Sequence, residues 1–124
     1  MYATYEGDFM ALYIGFFRNN EYYTRYATEK VLSGEWAASP EQGNPDTRFA
    51  ERIREFPAFL ESRGVRLLGS YTPVGQGLPS GNPASQPGVQ IIETDNEEDL
   101  GAITQYYAGY LHFTFHRYNS VART

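Results

Sequence analysis

The stretch GVQIIETDNEEDLGAI, residues 88–103, contains the change of periodicity that decides the fold. Residues 88–94 are rich in β-branched side chains and predict a strand. Asp95 or Asn96 can then cap a helix. Four apolar or aromatic side chains recur at helical spacing after this cap: Leu100, Ile103, Tyr107 and Tyr110. The stretch therefore predicts a strand that leads directly into an amphipathic helix.

An acidic run opens this helix. Glu97, Glu98 and Asp99 fall in its first turn, where the helix dipole stabilises carboxylates. A calcium loop beginning at Asp95 is the alternative interpretation, but Tyr106 stands where such a loop carries its bidentate glutamate. We therefore interpret the acidic run as part of the helix and expect no calcium site there.

Residues 111–118, LHFTFHRY, contain the chain's only two histidines and predict the last strand. Alternation puts three apolar side chains on one face and three polar ones on the other: Leu111, Phe113 and Phe115, and opposite them His112, Thr114 and His116. We expect the phenylalanine face to pack on the helices and the histidine face to meet a second protomer or line a barrel interior. Four residues of strand span about 13 Å, so one metal ion cannot bind both imidazoles of a chain. We therefore expect no zinc site, and no further feature supports a haem ligand.

A second amphipathic helix is predicted over residues 47–63. Asp46 is its expected N-cap, and Gly64 is its expected left-handed end. Its apolar stripe has helical spacing: Phe49, Ile53, Phe56 and Leu60. Pro57 lies inside this pattern, and we expect it to kink or break the helix near Phe56.

Two further strands are predicted at residues 10–17 and 65–72. Together with the elements above they give the order βαββαβ, which is the split βαβ arrangement of ferredoxin-like folds. We therefore predict an α+β ferredoxin-like sandwich, in which helices cover one face of a four-stranded antiparallel sheet.

Two segments fall outside this order. Residues 18–46 are predicted to be an insertion after the first strand, with an extra helix from about Asn20 to Leu32 and a loop at 37–46. Residues 73–88 hold four of the seven prolines and predict a long irregular loop. This loop is uncharged, which suits a packing role.

Composition indicates one globular domain of 124 residues, 41% hydrophobic, with eleven tyrosines. The net charge of −5 and the lack of a basic cluster argue against a nucleic-acid partner. Because cysteine is absent, disulfides, thiolate metal sites and a cysteine nucleophile are excluded.

The first apolar run, residues 9–17, follows Glu6 and Asp8 rather than a positively charged region, which is unlike a signal peptide. No apolar run reaches the roughly 18–20 residues that span a bilayer. We therefore expect a soluble, cytoplasmic protein without a membrane partner.

The sequences GVRLLGSY, residues 64–71, and GVQIIETDNEEDLGAI, followed by an aromatic-rich last strand, resemble the dimeric α/β-barrel superfamily. Within it they are similar to a family of short proteins with a G-V-x-L-L-G strand and an x-x-E-T-D turn from strand to helix. The resemblance covers about residues 47–121 and the first strand. It implies a homodimer in which two sheets pack face to face, helices lie outside, and each protomer has a pocket.

Seven side chains are candidates for a site. Those expected to handle protons are His116, His112 and Glu93. Those expected to contact a ligand are Tyr13, Tyr71, Thr114 and Trp36. Each also has a structural explanation: histidines can form the polar wall of a strand, a glutamate can pair with an arginine of a neighbouring strand, and aromatic residues can fill the core or an interface. No cofactor or metal is implied.

Two functions remain open from the sequence. The first is a small-molecule-binding or cofactor-independent enzyme domain, similar to the monooxygenases, isomerases and cyclases of the resembling superfamily. The second is a non-enzymatic structural protein that self-assembles through its Tyr-rich insertion and uncharged loop. Both predict a homodimer or larger homo-oligomer, because a lone sheet would expose a broad apolar face.

Overall fold

A computed structural model describes residues 10–36, 45–73, 86–119 and 121. Its elements in chain order are β1 (Ala11–Asn19), α1 (Glu21–Leu32), α2 (Thr47–Ser62), β2 (Arg66–Tyr71), β3 (Gly88–Thr94), α3 (Glu98–Tyr106) and β4 (Leu111–Tyr118). Most of the two predicted loops, 37–46 and 73–88, lies outside the described residues.

The four strands form one antiparallel sheet in the order β2-β3-β1-β4. The predicted α+β class and the four-stranded antiparallel sheet are confirmed, and the strand order is consistent with a ferredoxin-like fold. Both α1 and α2 lie in the connection from β1 to β2, and α3 connects β3 to β4. In this strand order, the two central strands, β1 and β3, are paired on both edges.

The core lies between one face of the sheet and the helices, and it is mainly aromatic. Phe49 of α2 stacks on Tyr110 with ring centroids 4.5 Å apart, and Tyr107 lies 5.8 Å from Phe113 of β4. The buried apolar side chains come from every layer: Tyr13, Phe17, Tyr23, Phe49, Phe56, Leu60, Val65, Ile92, Ile103, Tyr107, Leu111 and Phe113. Burial of one large side chain stabilises a fold by about 1.5–3 kcal/mol, so this cluster fixes which face of the sheet carries helices.

Two glycines allow phenylalanine rings to approach the backbone of the sheet closely. A Cβ at Gly15 would stand 2.5 Å from the ring of Phe115, and a Cβ at Gly88 would stand 2.3 Å from the ring of Phe17. Any larger residue would push these rings away from the central strands. The two glycines are therefore needed for close packing on the helix-covered face.

A buried carboxylate joins α1 to α2. Asp46 caps α2 by accepting hydrogen bonds from the backbone N–H groups of Arg48 and Phe49, each at 3.1 Å. It also accepts a 2.8 Å bond from the hydroxyl of Tyr23 in α1. The predicted cap is thus present, and through Tyr23 it also holds the first helix against the second. Burial, followed by the Asp46 carboxylate, raises the pKa of Tyr23.

A second buried carboxylate, Asp99, anchors the turn from β3 to α3. Arg63, at the end of α2, donates to its Oδ1 at 2.9 Å, and the hydroxyl of Thr94 donates to its Oδ2 at 2.5 Å. The side chain of Asn96 accepts a 3.0 Å hydrogen bond from the N–H of Glu98, the first residue of α3. The turn therefore fixes α3 to both the sheet and α2.

Helix α2 differs from the sequence prediction at its centre. It runs unbroken through Pro57, which lies on the exposed side of the helix. The carbonyl group that the proline ring leaves without a donor belongs to Ile53, and Ile53 is itself 48% exposed. Water can therefore satisfy that carbonyl, while Phe49, Phe56 and Leu60 keep the helix packed. Of the kink or break expected near Phe56, the break is wrong for this reason.

We predict that Tyr23 makes the fold sensitive to alkali. Its pKa is raised in the folded state, so the stability that its hydroxyl contributes is present below about pH 10 and falls as the pH rises above the pKa of the unfolded chain. Above that pH, the free energy of unfolding of the parent protein should fall more steeply than that of Tyr23→Phe, by about 1.4 kcal/mol per pH unit. Urea unfolding followed by circular dichroism measures both slopes.

The matched control is Tyr22→Phe, since Tyr22 is on the same helix but 76% exposed. This variant should keep the slope of the parent protein. Equal slopes for Tyr23→Phe and the parent would contradict the buried hydrogen bond.

Candidate functional site

The face of the sheet opposite the helices is the candidate site, and we call it the open face. None of the three described helices packs on it. Its side chains follow from strand alternation and cross-strand register: Leu12, Ile14, Phe16 and Arg18 of β1; Val89, Ile91 and Glu93 of β3; Arg66, Gly69 and Tyr71 of β2; His112, Thr114, His116 and Tyr118 of β4.

The centre of the open face is apolar. Its two central strands contribute five apolar side chains: Leu12, Ile14, Phe16, Val89 and Ile91. All five are only half-buried, although they lie on strands that are paired on both edges. An antiparallel sheet whose second face meets water normally carries polar residues there, so this face has the composition of a contact surface.

Three polar side chains border this centre along β4. His112, Thr114 and His116 are all exposed and share the open face, as the alternation predicts. Register places Thr114 opposite Phe16 and His116 opposite Ile14. The His116 ring meets the ring of Phe16 edge-on, with centroids 6.0 Å apart. A ligand over the apolar centre would therefore lie within reach of two hydrogen-bonding groups at once.

Glu93 lies at one end of the open face and is nearly inaccessible. Its side chain is 1% exposed, and Nη1 of Arg66, on the neighbouring strand β2, lies 3.1 Å from its Oε1. Register pairs the two residues directly. An ion pair with an arginine of a neighbouring strand is the structural explanation that the sequence indicates for Glu93, and the structure contains this pair. Its role as a proton-handling group stays a prediction.

The other three candidates are spread over different parts of the fold. Tyr71 is 59% exposed at the β2 edge of the open face. It lies in one cross-strand row with Val89, Phe16 and Thr114. Tyr71 and the histidine-bearing strand β4 are therefore at opposite edges of the same face. Tyr13 lies on the helix-covered face and is 5% exposed, as part of the core. Trp36 follows α1, and its ring meets Tyr26 of that helix at 5.6 Å.

The structure thus brings His112, Thr114 and His116 together, with Tyr71 across the sheet and Glu93 at its end. Tyr13 does not join them, because odd-numbered residues of β1 point to the helices. The predicted contacts of Tyr13 and Trp36 with a ligand stay predictions.

Sequence reasoning missed Arg18. It is exposed at the end of β1, and register places it directly opposite His112. Its side chain makes no ion pair or hydrogen bond with another described residue. Alternation with Phe16 places Arg18 on the open face, but only the pairing of β1 with β4 shows that it lies beside His112.

Two further properties concern metals and membranes. Within residues 10–36, 45–73 and 86–119, no group of three or more histidine and carboxylate side chains is arranged to hold a metal ion. No described helix has both the length and the apolar character needed to cross a bilayer. The predicted cytoplasmic location stays a prediction.

Comparison of the chain with protein-family models, with curated proteins and with solved structures gives no match. The resemblance to the dimeric α/β-barrel superfamily therefore stays a prediction.

We predict that Arg66 stabilises the fold because the carboxylate of its partner is buried. Arg66→Gln should lower the free energy of unfolding by about 1–2 kcal/mol, less than for a fully buried pair because Arg66 is 60% exposed. Urea denaturation at neutral pH measures the change.

Arg25→Gln is the control for this pair. Arg25 lies 3.6 Å from Glu21 in an ion pair in which both side chains are mostly exposed, so the loss should stay below about 0.5 kcal/mol. A loss for Arg66→Gln no greater than that of the control would show that burial of Glu93 does not depend on Arg66.

Proposed function

We propose that the chain is a small-molecule-binding domain that works as a homodimer, with the open faces of two protomers facing each other as a dimeric α/β barrel. The helices would lie outside, and a small organic ligand would lie between the sheets. The single observation that supports this proposal is the composition of the open face, an apolar centre bordered by imidazole and hydroxyl groups.

Leaving the open face in water would be unfavourable, because its centre is apolar, and this favours a dimer. Five half-buried apolar side chains on two central strands form one continuous surface. A second copy would remove this surface from water without any change of the helical layer. Polar side chains at the edges, such as Thr114 and Tyr71, would then form the rim that a protein interface requires. Self-pairing also needs no partner other than the chain itself.

The positions of the histidines favour an organic ligand on this face. His116 contacts Phe16, so an imidazole and an aromatic ring point to the same volume. Histidine can accept or donate a proton near neutral pH and needs no cofactor for this. The proposed chemistry is therefore proton transfer to or from a bound organic molecule, as in a cofactor-independent monooxygenase, isomerase or cyclase, with His116 and His112 as the proton-handling groups.

One observation favours the alternative, a structural protein that self-assembles. Helix α1, within the Tyr-rich segment, exposes large side chains: Tyr22 (76%), Leu32 (80%), Tyr26 (43%) and Val31 (39%). Helical spacing puts Tyr22, Tyr26 and Leu32 on one side of α1, and this second apolar surface lies in the helical layer, away from the open face. Contacts through both surfaces would produce a larger assembly than a dimer.

The first prediction of this proposal concerns mass. Light scattering across a concentration series should give a stable species of about 28 kDa, twice the chain mass of 14.1 kDa. Ile14→Glu should shift it to the monomer mass, because a charge in the centre of the open face has to be desolvated in the dimer. The fluorescent probe N-phenyl-1-naphthylamine, which is apolar and uncharged, should bind the parent dimer and lose affinity in the variant.

Two controls separate the surfaces. Ile53→Glu introduces the same charge at a residue of α2 that is 48% exposed, and it should leave the mass unchanged. Ile14→Thr keeps a β-branched residue, so it should weaken the dimer without unfolding the strand. The alternative predicts instead that the parent protein forms species much larger than a dimer in light scattering. If Leu32→Glu reduces their mass and Ile14→Glu does not, assembly through α1 is supported and the open-face dimer is not.

A further inference from the structure

The described part of the open face carries positive charge, in contrast to the rest of the chain. Arg18, Arg66 and Glu93 give it a formal charge of +1, and the total of −5 therefore leaves −6 for all other residues. Since Arg66 is paired with Glu93, the unpaired charge is that of Arg18. A surface of this sign attracts anions to a protein that is acidic elsewhere.

Arg18 and His112 are neighbours across β1 and β4. Directly opposed residues on antiparallel strands have Cβ atoms about 4.5–5.5 Å apart, so both side chains can reach one small group. Thr114 is the next residue of β4 on the same face, about 7 Å along the strand. A guanidinium, an imidazole and a hydroxyl group thus lie at one corner of the open face.

The described carboxylate of the open face does not compete for this corner. Its one described carboxylate, Glu93, lies opposite Leu12, six residues along β1 from Arg18 and so about 20 Å away. An arginine with no described partner, beside an imidazole and next to the apolar centre of the face, has the chemistry of a carboxylate or sulfonate site.

Phe16 extends this corner toward the apolar centre. It lies between Arg18 and Ile14 on the same face of β1. A ligand whose anionic group is held by Arg18 and His112 can therefore lay an apolar body over Phe16 and Ile14. That body would also reach the imidazole of His116.

We propose that the ligand of the open face is an amphipathic organic anion, with a carboxylate or sulfonate held by Arg18 and His112 and an aromatic or aliphatic body over Phe16 and Ile14. This inference rests on the proposed function, because it names the class of molecule that the same face binds. It adds Arg18 as the residue that distinguishes anions from neutral ligands.

The test uses two fluorescent probes with one ring system. 8-Anilinonaphthalene-1-sulfonate carries a sulfonate, and N-phenyl-1-naphthylamine is the same molecule without it. Arg18→Gln should weaken binding of the sulfonate probe by about tenfold, because one charge-assisted hydrogen bond is lost. Binding of the neutral probe should change by less than about twofold, because the apolar contacts remain. Titrations of the full chain at low ionic strength avoid screening of the pair.

Three further variants sharpen the result. Arg18→Lys keeps the charge and should recover part of the affinity for the sulfonate. His112→Gln should also weaken the sulfonate and spare the neutral probe. Arg25→Gln removes an arginine of α1 that is not on the open face, and it should leave both affinities unchanged. Circular dichroism verifies that each variant is folded.

The remaining outcomes separate the two proposals. If both probes bind and Arg18→Gln leaves the sulfonate unaffected, or weakens both probes equally, the anion site is overturned and a ligand-binding dimer still stands. If neither probe binds the parent protein, both proposals are overturned.

Discussion

A sheet has two faces, and the described helices of this chain cover only one of them. The aromatic core fixes which one, because Phe113 of β4 and Phe17 of β1 pack at 5.3 Å on the side of the helices. Alternation then sends Phe16, His112 and the rest of the open face to the other side. The candidate site depends on this division, since it separates a structural core from an apolar surface with hydrogen-bonding groups.

Two buried carboxylates stabilise the helical layer on its side of the sheet. Asp46 joins α1 to α2 through Tyr23, and Asp99 joins α3 to the end of α2 through Arg63. Each carboxylate also serves a local purpose, the first as a helix cap and the second in the turn after β3. Because these bonds hold the three helices to one another, the helical layer can stay intact while the open face contacts a partner or a ligand.

The open face combines features that usually belong to different kinds of surface. Its apolar centre resembles an interface between protomers, whereas its β4 edge presents imidazole and hydroxyl groups typical of a ligand site. A barrel made by two copies would use both, because the centres would pack and the edges would line the space between them. Arg18 lies beside that edge on β1, and its positive charge would give the space a preference for anionic ligands.

The sequence by itself determined the elements and their faces. The Asp46 cap, the left-handed Gly64 and the alternation from Leu111 to His116 follow from local chemistry, and the structure contains each of them. These features act within a few residues, so spacing along the chain is enough to find them. The break expected near Phe56 is absent, because Ile53, which the sequence places in the apolar stripe, is exposed in the structure and leaves its carbonyl group to water.

Only the tertiary structure decided which distant residues meet. Arg18 lies beside His112, and Arg66 beside Glu93, through strand register between segments far apart in the chain. A shift of one residue in either pairing would send these side chains to the opposite face, and no local pattern specifies it. The candidate site is therefore a product of register, which the packing of the aromatic core sets for the sheet as a whole.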